Sequence, residues 1–326
     1  MTNYKKILII RLSSLGDVLL TTPVISALHQ KYPDSQIDFL VKPQFVDAVK
    51  TNPILNHIHE FDKSKNYDVL IKSLQKNKYD LVIDLQNNFR SRKICSKLSA
   101  KVYRFKKPTL KKFLFVNFKW NLYKKVKSIP QMYFESIPEL EFTFQKPSLF
   151  VPEEVISSIK PGKYIGFAPG SKHFTKMWPI EYFNELGKLV SAKGYTILLF
   201  GGSDDKEICH NLKQEIPGAI DLSTENDLIQ IARDMKECKL IVCNDSGLMH
   251  TAVSVHVPVI AIFGSTVKEF GFAPYSENSL VIENDELKCR PCSHIGKDKC
   301  PKSHFKCMLE LTPELVYNKI EKFISL

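Results

Sequence analysis

Residues Ile7–Pro23 read ILIIRLSSLGDVLLTTP. Four apolar residues in a row, Ile7 to Ile10, suit a strand buried on both faces, as in a parallel sheet covered by helices. A mostly polar loop follows, Arg11 to Gly16, and Asp17 then opens a helix predicted to run to Gln30. This is a strand–loop–helix corner of an α/β sheet, the place where ligands bind. Asp17, a carboxylate next to a glycine at that corner, is the first candidate for chemistry.

The same alternation continues. Ile37–Val41 and Ile58–Phe61 read as strands, Tyr67–Lys76 as a helix, Leu81–Leu85 as a strong strand and Phe89–Leu98 as a helix. Glu139–Gly162 lacks periodicity, contains Pro147, Pro152 and Pro161, and reads as a linker. The pattern then restarts. Strands are predicted at Tyr164–Phe167, Thr196–Phe200, Leu240–Cys243 and Val257–Phe263. Helices are predicted at Ile180–Ala192, Asp205–Gln214, Asp227–Glu237 and Leu248–Val255. Thr312-Pro313-Glu314 starts a final helix with a capping residue and a proline in the first turn. Strands separated by helices indicate βαβ units. The fold class is therefore α/β, with two Rossmann-like, doubly wound parallel-sheet domains, residues 1–155 and 156–326, facing a cleft. The last helix is given the option of packing back on the first domain.

The 326 residues carry 46 Lys+Arg against 35 Asp+Glu, a net charge of +11. An anionic partner follows: nucleic acid, an acidic membrane surface or a phosphorylated substrate, with a general lysine bias as the alternative. Lys101–Lys127 concentrates this feature. Ten basic residues are interleaved there with Tyr103, Phe105, Phe113, Phe115, Phe118, Trp120 and Tyr123. That mixture suits acidic headgroups or single-stranded nucleic acid; an amphipathic helix with buried aromatics is the plainer reading. No secretory signal is visible at the N-terminus and no run approaches a membrane span. A cytoplasmic protein is expected, and Cys95, Cys209, Cys238 and Cys243, placed singly in helix or strand patterns, agree with a reducing compartment.

Three loops after strands of the second half are candidates for ligand chemistry. In Ala168–Pro179, Gly170 and Ser171 offer close backbone approach and a hydroxyl, and Lys172 and Lys176 offer cations. In FGGSDD, Phe200–Asp205, the glycines allow a tight turn, and a carboxylate there either accepts from ribose hydroxyls or caps a helix. In NDSGLMH, Asn244–His250, Ser246, Gly247 and Leu248 can point N–H groups at an anion from a helix start, and His250 lies one turn on. No G-x-x-x-x-G-K-[ST], G-x-G-x-x-G or G-x-S-x-G spacing occurs, which argues against P-loop, nicotinamide or flavin, and α/β-hydrolase chemistry.

Taken together, RLSSLGDVLLTTP, PGSKHFTKMWP, FGGSDD and NDSGLMH resemble the ADP-heptose:lipopolysaccharide heptosyltransferases of glycosyltransferase family nine, in order and over nearly the whole chain. The resemblance implies a GT-B fold and inverting, metal-independent transfer of a sugar from a nucleotide donor, with no cofactor required. It implies Asp17 as catalytic base and Lys176 and Ser171 on the donor diphosphate. Asp205 stands where the family has a glutamate for the ribose, one methylene shorter. Asp245 matches an acid near the donor sugar, Ser246, Gly247 and Leu248 the diphosphate-binding helix start, and His250 its following histidine. The expected partners are an ADP-sugar donor, the inner core of lipopolysaccharide as acceptor and an anionic membrane surface, with no specific nucleic acid. The expected location is cytoplasmic, peripheral at the inner face of the inner membrane.

The acceptor is assigned to the first half: Ser13, Ser14 and Gly16 of the opening loop, with Arg90 and Lys93 from the stretch after Asp84 to grip its carboxylates or phosphates. A basic helix face is the alternative for that stretch. The C-terminal Cys289-x2-Cys292-x7-Cys300-x6-Cys307 cluster admits structural zinc, disulfides or free thiols. Three rival readings remain: another nucleotide-sugar glycosyltransferase, a GT-B sugar-nucleotide epimerase and, more remotely, a non-catalytic nucleic-acid-binding protein.

Overall fold

A computed structural model describes residues 4–62, 64, 66–224 and 227–324. The chain divides into two units, one of residues 1–107 and 128–150, the other of residues 108–127 and 151–326. The chain passes between the units after residues 107, 127 and 150. The excursion at 108–127 was not anticipated, because it is set by packing rather than by local pattern.

In the first unit the elements run β1 (Lys6–Ile10), α1 (Leu15–Leu19), α2 (Thr22–Lys31), β2 (Gln36–Val41), β3 (His57–Glu60), α3 (Tyr67–Lys76), β4 (Leu81–Asp84), α4 (Phe89–Cys95) and β5 (Lys101–Arg104). α5 (Thr109–Phe118) falls in the second unit and α6 (Ile129–Phe134) returns to the first. The strands form a parallel sheet in the order β3-β2-β1-β4-β5. Leu8, Ile10, Leu40, Leu74, Val82 and Ile94 form a core over one face. The single helix expected from Asp17 to Gln30 is broken. Thr21 and Thr22 turn their hydroxyls onto the Val18 and Leu19 carbonyls, and Pro23, lacking an N–H, starts a new helix.

The second unit continues with β6 (Tyr164–Ala168), α7 (Ile180–Ser191), β7 (Thr196–Leu199), α8 (Lys206–Glu215), β8 (Ile220–Asp221), α9 (Leu228–Met235), β9 (Cys238–Asn244), α10 (Gly247–Ser254), β10 (Val259–Phe263), β11 (Ser279–Glu283), α11 (Lys306–Leu309) and α12 (Pro313–Ile324). Its sheet order is β11-β10-β9-β6-β7-β8, with parallel pairing throughout. The strands β5, β8 and β11, all at sheet edges and two to five residues long, escaped the sequence reading. α12, capped by the Thr312 hydroxyl, packs on α7, and its Val316 and Ile320 join the core of this unit. Among the described residues no helix is long and apolar enough to cross a membrane.

Both sheets are doubly wound: the chain progresses outward from a central strand in one direction, then restarts beside it in the other. The reversal lies between β1 and β4 in one unit and between β6 and β9 in the other. Loops leaving these strand ends diverge, and the crevice they leave is the ligand position of open α/β sheets. Asp17 and the Lys176 and Asp245 loops all leave these reversal points.

Candidate active site

In the first unit, Arg11 follows β1 directly and is almost completely buried. Its Nε donates to the Ser13 carbonyl at 2.9 Å and its Nη1 to the Leu85 carbonyl at 2.6 Å, just past β4. That leaves Nη2 aimed at Asp17 Oδ1, 2.5 Å away. The Ser14 backbone N–H and hydroxyl donate to Asp17 Oδ2 at 3.1 and 2.8 Å. Gln86, after β4, accepts from the Leu12 and Ser13 N–H groups at 2.9 and 3.1 Å and so fixes the loop. Tyr133 of α6 lies under the guanidinium, 5.8 Å from ring centroid to Cζ.

Burial by itself would raise the Asp17 carboxyl; the Arg11 charge and the Ser14 hydrogen bonds outweigh it, and the net shift is downward. Burial would likewise lower Arg11, but Asp17 and its other neighbours keep it firmly cationic. Desolvation and Arg11 depress the nearby Lys107 ammonium, while Asp17 and Asp84 pull it back up. Asp84 ends β4 and accepts from the Asn87 N–H at 2.7 Å and the Ser91 hydroxyl at 3.0 Å, bracing the start of α4. On α4, Arg90 is exposed and Lys93 sits 4.9 Å over the Tyr67 ring. Ser13, Ser14 and Gly16 lie in the Asp17 loop itself, with Ser14 already engaged on the carboxylate.

In the second unit, Trp178 is fully buried, donates its indole N–H to the Leu311 carbonyl and stacks edge-on against Phe183. This anchors the loop after β6 two residues past Lys176. Asn244, at the end of β9, ties the same loop down. It accepts from the Trp178 N–H at 2.9 Å and donates to the Pro169 carbonyl at 2.6 Å. Lys176 Nζ is thereby set 2.8 Å from Asp245 Oδ2, both largely buried. The Thr266 hydroxyl, after β10, donates to the same oxygen at 2.7 Å.

Ser246 is the N-cap of α10, yet its half-buried side chain makes no capping bond, and its hydroxyl finds no hydrogen-bond partner among the described residues. Gly247 and Leu248 form the first turn beside it, and His250 is buried one turn on. Helix N–H groups, an available hydroxyl and a lysine paired with the adjacent Asp245 are donors of the kind that hold an anion.

The other predicted donor residues flank this point. Ser171 is half-buried in the loop before Lys176. Asp205 accepts from the Gly202 N–H at 3.1 Å, and burial raises its carboxyl. It also lies against Gly170 so tightly that a Cβ there would meet it at 1.9 Å. Glycine at 170 is what lets the two loops touch.

Sequence reasoning missed Arg11, Gln86, Asn244 and Thr266. Each is a common polar residue whose role depends on partners 6 to 75 positions away.

The C-terminal cysteine segment contributes support. Buried Arg290 donates to the Gly264 and Thr266 carbonyls and pairs with Glu283 at 2.8 Å. The Lys297 N–H donates to the Thr175 hydroxyl, and Thr175 returns its own N–H to the Lys297 carbonyl. The segment thus braces the residue before Lys176. All eight cysteines are free thiols in the structure. No three His, Cys, Asp or Glu among the described residues, Cys289, Cys292, Cys300 and Cys307 included, are grouped to hold a metal ion. Cys307 is committed instead to the hydrophobic core with Met308 and Leu311, and Cys289 contacts His304 at 3.8 Å.

The chain is similar to known proteins over most of its length. Residues 68–302 match the model of "Glycosyltransferase family 9 (heptosyltransferase)". Lipooligosaccharide heptosyltransferase 2 of Haemophilus ducreyi is 24% identical, with 98% of this chain and 99% of the relative covered, so the Asp17 loop lies within the aligned length. Among solved structures, a glycosyl transferase family 9 protein from Veillonella parvula is similar with a TM-score of 0.78 at 24% identity, covering 99% of this chain and 98% of that one. The E. coli heptosyltransferase WaaC with ADP is similar at a TM-score of 0.73 and 21% identity, covering 98% and 99%.

Proposed function

This chain belongs to glycosyltransferase family 9, the heptosyltransferase family, and from that premise we propose that it moves a heptose from ADP-heptose to the inner core of lipopolysaccharide, with Asp17 as general base. The names of its relatives support the substrate classes: lipooligosaccharide heptosyltransferases, and a structural neighbour solved with ADP. The work is done at the cytoplasmic face of the inner membrane, where a lipid-linked acceptor meets a soluble nucleotide sugar.

The first unit takes the acceptor. Its reacting hydroxyl gives a proton to Asp17 while the oxygen attacks the anomeric carbon. The bond from that carbon to the diphosphate breaks on the opposite face, ADP leaves, and the configuration inverts. The Arg11 clamp keeps Asp17 anionic and oriented but makes it a weak base. Its contribution therefore comes from positioning and from late transfer, once the attacking oxygen has become acidic. Arg90 and Lys93 are assigned to acidic groups of the acceptor, and Lys107, near Asp17, joins them.

The second unit takes the donor. Charge grows on the leaving diphosphate, and preorganised donors lower that barrier. Lys176, the Ser246 hydroxyl and the N–H groups of Gly247 and Leu248 supply them, doing without a metal what a divalent cation does elsewhere. Ser171 is assigned to the same diphosphate, Asp205 to the ribose, and Asp245 and His250 to the neighbourhood of the donor sugar.

The observation that carries the reading is the Lys176–Asp245 pair set beside the unengaged Ser246 hydroxyl at the start of α10. The test is incubation with ADP-heptose and defined truncated lipopolysaccharides, with products read by mass spectrometry. The expected result is a gain of one heptose on one acceptor. Donor turnover without acceptor would replace the reading by a sugar-nucleotide epimerase, and transfer from a different nucleotide sugar would replace the donor.

A further inference from the structure

Residues 101–127 contain ten Lys or Arg and no Asp or Glu. The part that leaves the first unit, 108–127, is fixed on the second by one side only. Phe115 of α5 packs on Val267 and Phe270, with Tyr123 and Phe272 alongside. Lys119 locks the end of the helix by donating to the Val116 and Pro291 carbonyls, each at 2.7 Å.

Val116 packs on that cluster too, but six other apolar side chains of the segment point to solvent. Phe113, Phe118 and Trp120 are 54%, 54% and 61% exposed, and Leu110, Leu122 and Val126 are exposed with them. The three aromatic rings touch one another, Phe113 to Phe118 at 6.1 Å and Phe118 to Trp120 at 5.5 Å between centroids. Lys106, Lys107, Lys111, Lys112, Lys124, Lys125 and Lys127 occupy the same stretch.

The geometry points to this face as a docking surface for an anionic lipid bilayer, with Phe113, Phe118 and Trp120 entering the headgroup boundary and the lysines neutralising acidic lipid. A rigidly anchored segment with one apolar face and an all-cationic charge set is the arrangement that lies in a membrane interface. Each lysine near an acidic leaflet contributes about 1 kcal/mol. Single-stranded nucleic acid fits less well, because aliphatic Leu110, Leu122 and Val126 share the face and offer no ring for a base to stack on. The inference rests on the lipid-linked acceptor of the proposed reaction and names the surface that would hold the enzyme beside it.

The chain has two tryptophans, and Trp178 is fully buried with its indole N–H bonded. A blue shift on adding vesicles therefore reports Trp120. The experiment mixes the whole protein with phosphatidylcholine vesicles, with and without phosphatidylglycerol, and follows sedimentation and fluorescence. The expected result is a blue shift and binding roughly tenfold tighter to the acidic vesicles, declining with added salt. Combining Phe113→Ser with Phe118→Ser should weaken binding about tenfold or more and leave transfer to a soluble oligosaccharide acceptor unchanged. Lys124→Glu with Lys125→Glu should erase the preference for acidic lipid.

Absence of vesicle binding, self-association that occludes Trp120 without lipid, or equal displacement of vesicles by single-stranded RNA would overturn the inference. Vesicle binding without any heptosyl transfer would leave the surface standing and remove the proposed reaction. Transfer to the soluble acceptor without vesicle binding would do the reverse.

Discussion

The two sheet reversals carry the same pair of charges, built differently. At the first, Arg11 and Asp17 belong to one short loop. Two of the three guanidinium nitrogens are already spent on the Ser13 and Leu85 carbonyls, so the third has one direction left. At the second, Lys176 and Asp245 come from loops after different strands, and the ammonium has Asp245 as its partner among the described residues. A guanidinium held at three points fixes a carboxylate's orientation. A lysine held at one point can turn its remaining donors to an incoming anion. The first construction suits a base whose aim matters; the second suits a site whose occupant brings its own charge and leaves.

Substitutions can break this contrast. The largest effect is expected for Asp17→Asn, which keeps the shape of the loop and removes the proton acceptor: kcat should fall about 10²–10⁴-fold, the range of general-base catalysis, while ADP affinity measured by calorimetry stays unchanged. Near-normal turnover would show that the rigid pair is structural.

Arg11→Met comes next. It leaves a buried carboxylate without its counterion, a loss of about 3–5 kcal/mol in denaturant unfolding, and Arg11→Lys should restore part of it. The same substitution should move the acid limb of kcat/KM upward, because burial then acts on Asp17 with Arg11 gone. In the parent protein the folded-state pKa of Asp17 lies below its unfolded value, near ~3.9. The stabilisation from the pair is thus complete above that value and is lost as pH falls through the folded-state pKa. An acid limb at the same pH in both proteins would sever Arg11 from the chemistry.

Lys176→Ala should weaken ADP binding roughly 10–100-fold, the worth of a charged hydrogen bond, with a smaller effect on kcat. Thr266→Val, which removes one hydrogen bond to Asp245, should cost about 1 kcal/mol of stability and change ADP affinity only a few-fold. If Thr266→Val hurt binding as much as Lys176→Ala, the second pair would be as rigid as the first and the contrast would fail.

Local pattern carried most of the fold. Ile7–Ile10, Leu81–Ile83 and Tyr164–Phe167 are largely apolar runs read as inner strands, and the structure places them at the two reversals. Where polar chemistry competes with pattern the reading slipped. Helix continuity from Asp17 to Gln30 ignored what Thr21, Thr22 and Pro23 do to a backbone. The basic–aromatic stretch was ambiguous because no periodicity says which ring faces the core; Phe115 and Tyr123 went inward, and Phe113, Phe118 and Trp120 stayed outside.

The sequence by itself determined the α/β class and the strand-to-helix corners at Asp17, Lys176 and the Ser246 helix start. These follow from composition over a few neighbours, through periodicity and helix-end chemistry. Tertiary structure decided who holds whom. Arg11 becomes the keeper of Asp17 because β4 lies beside β1 and lends it the Leu85 carbonyl. Lys176 meets Asp245 because β9 lies beside β6. Such pairings are set by strand order, and strand order is fixed by packing across the whole sheet rather than by any local run of residues.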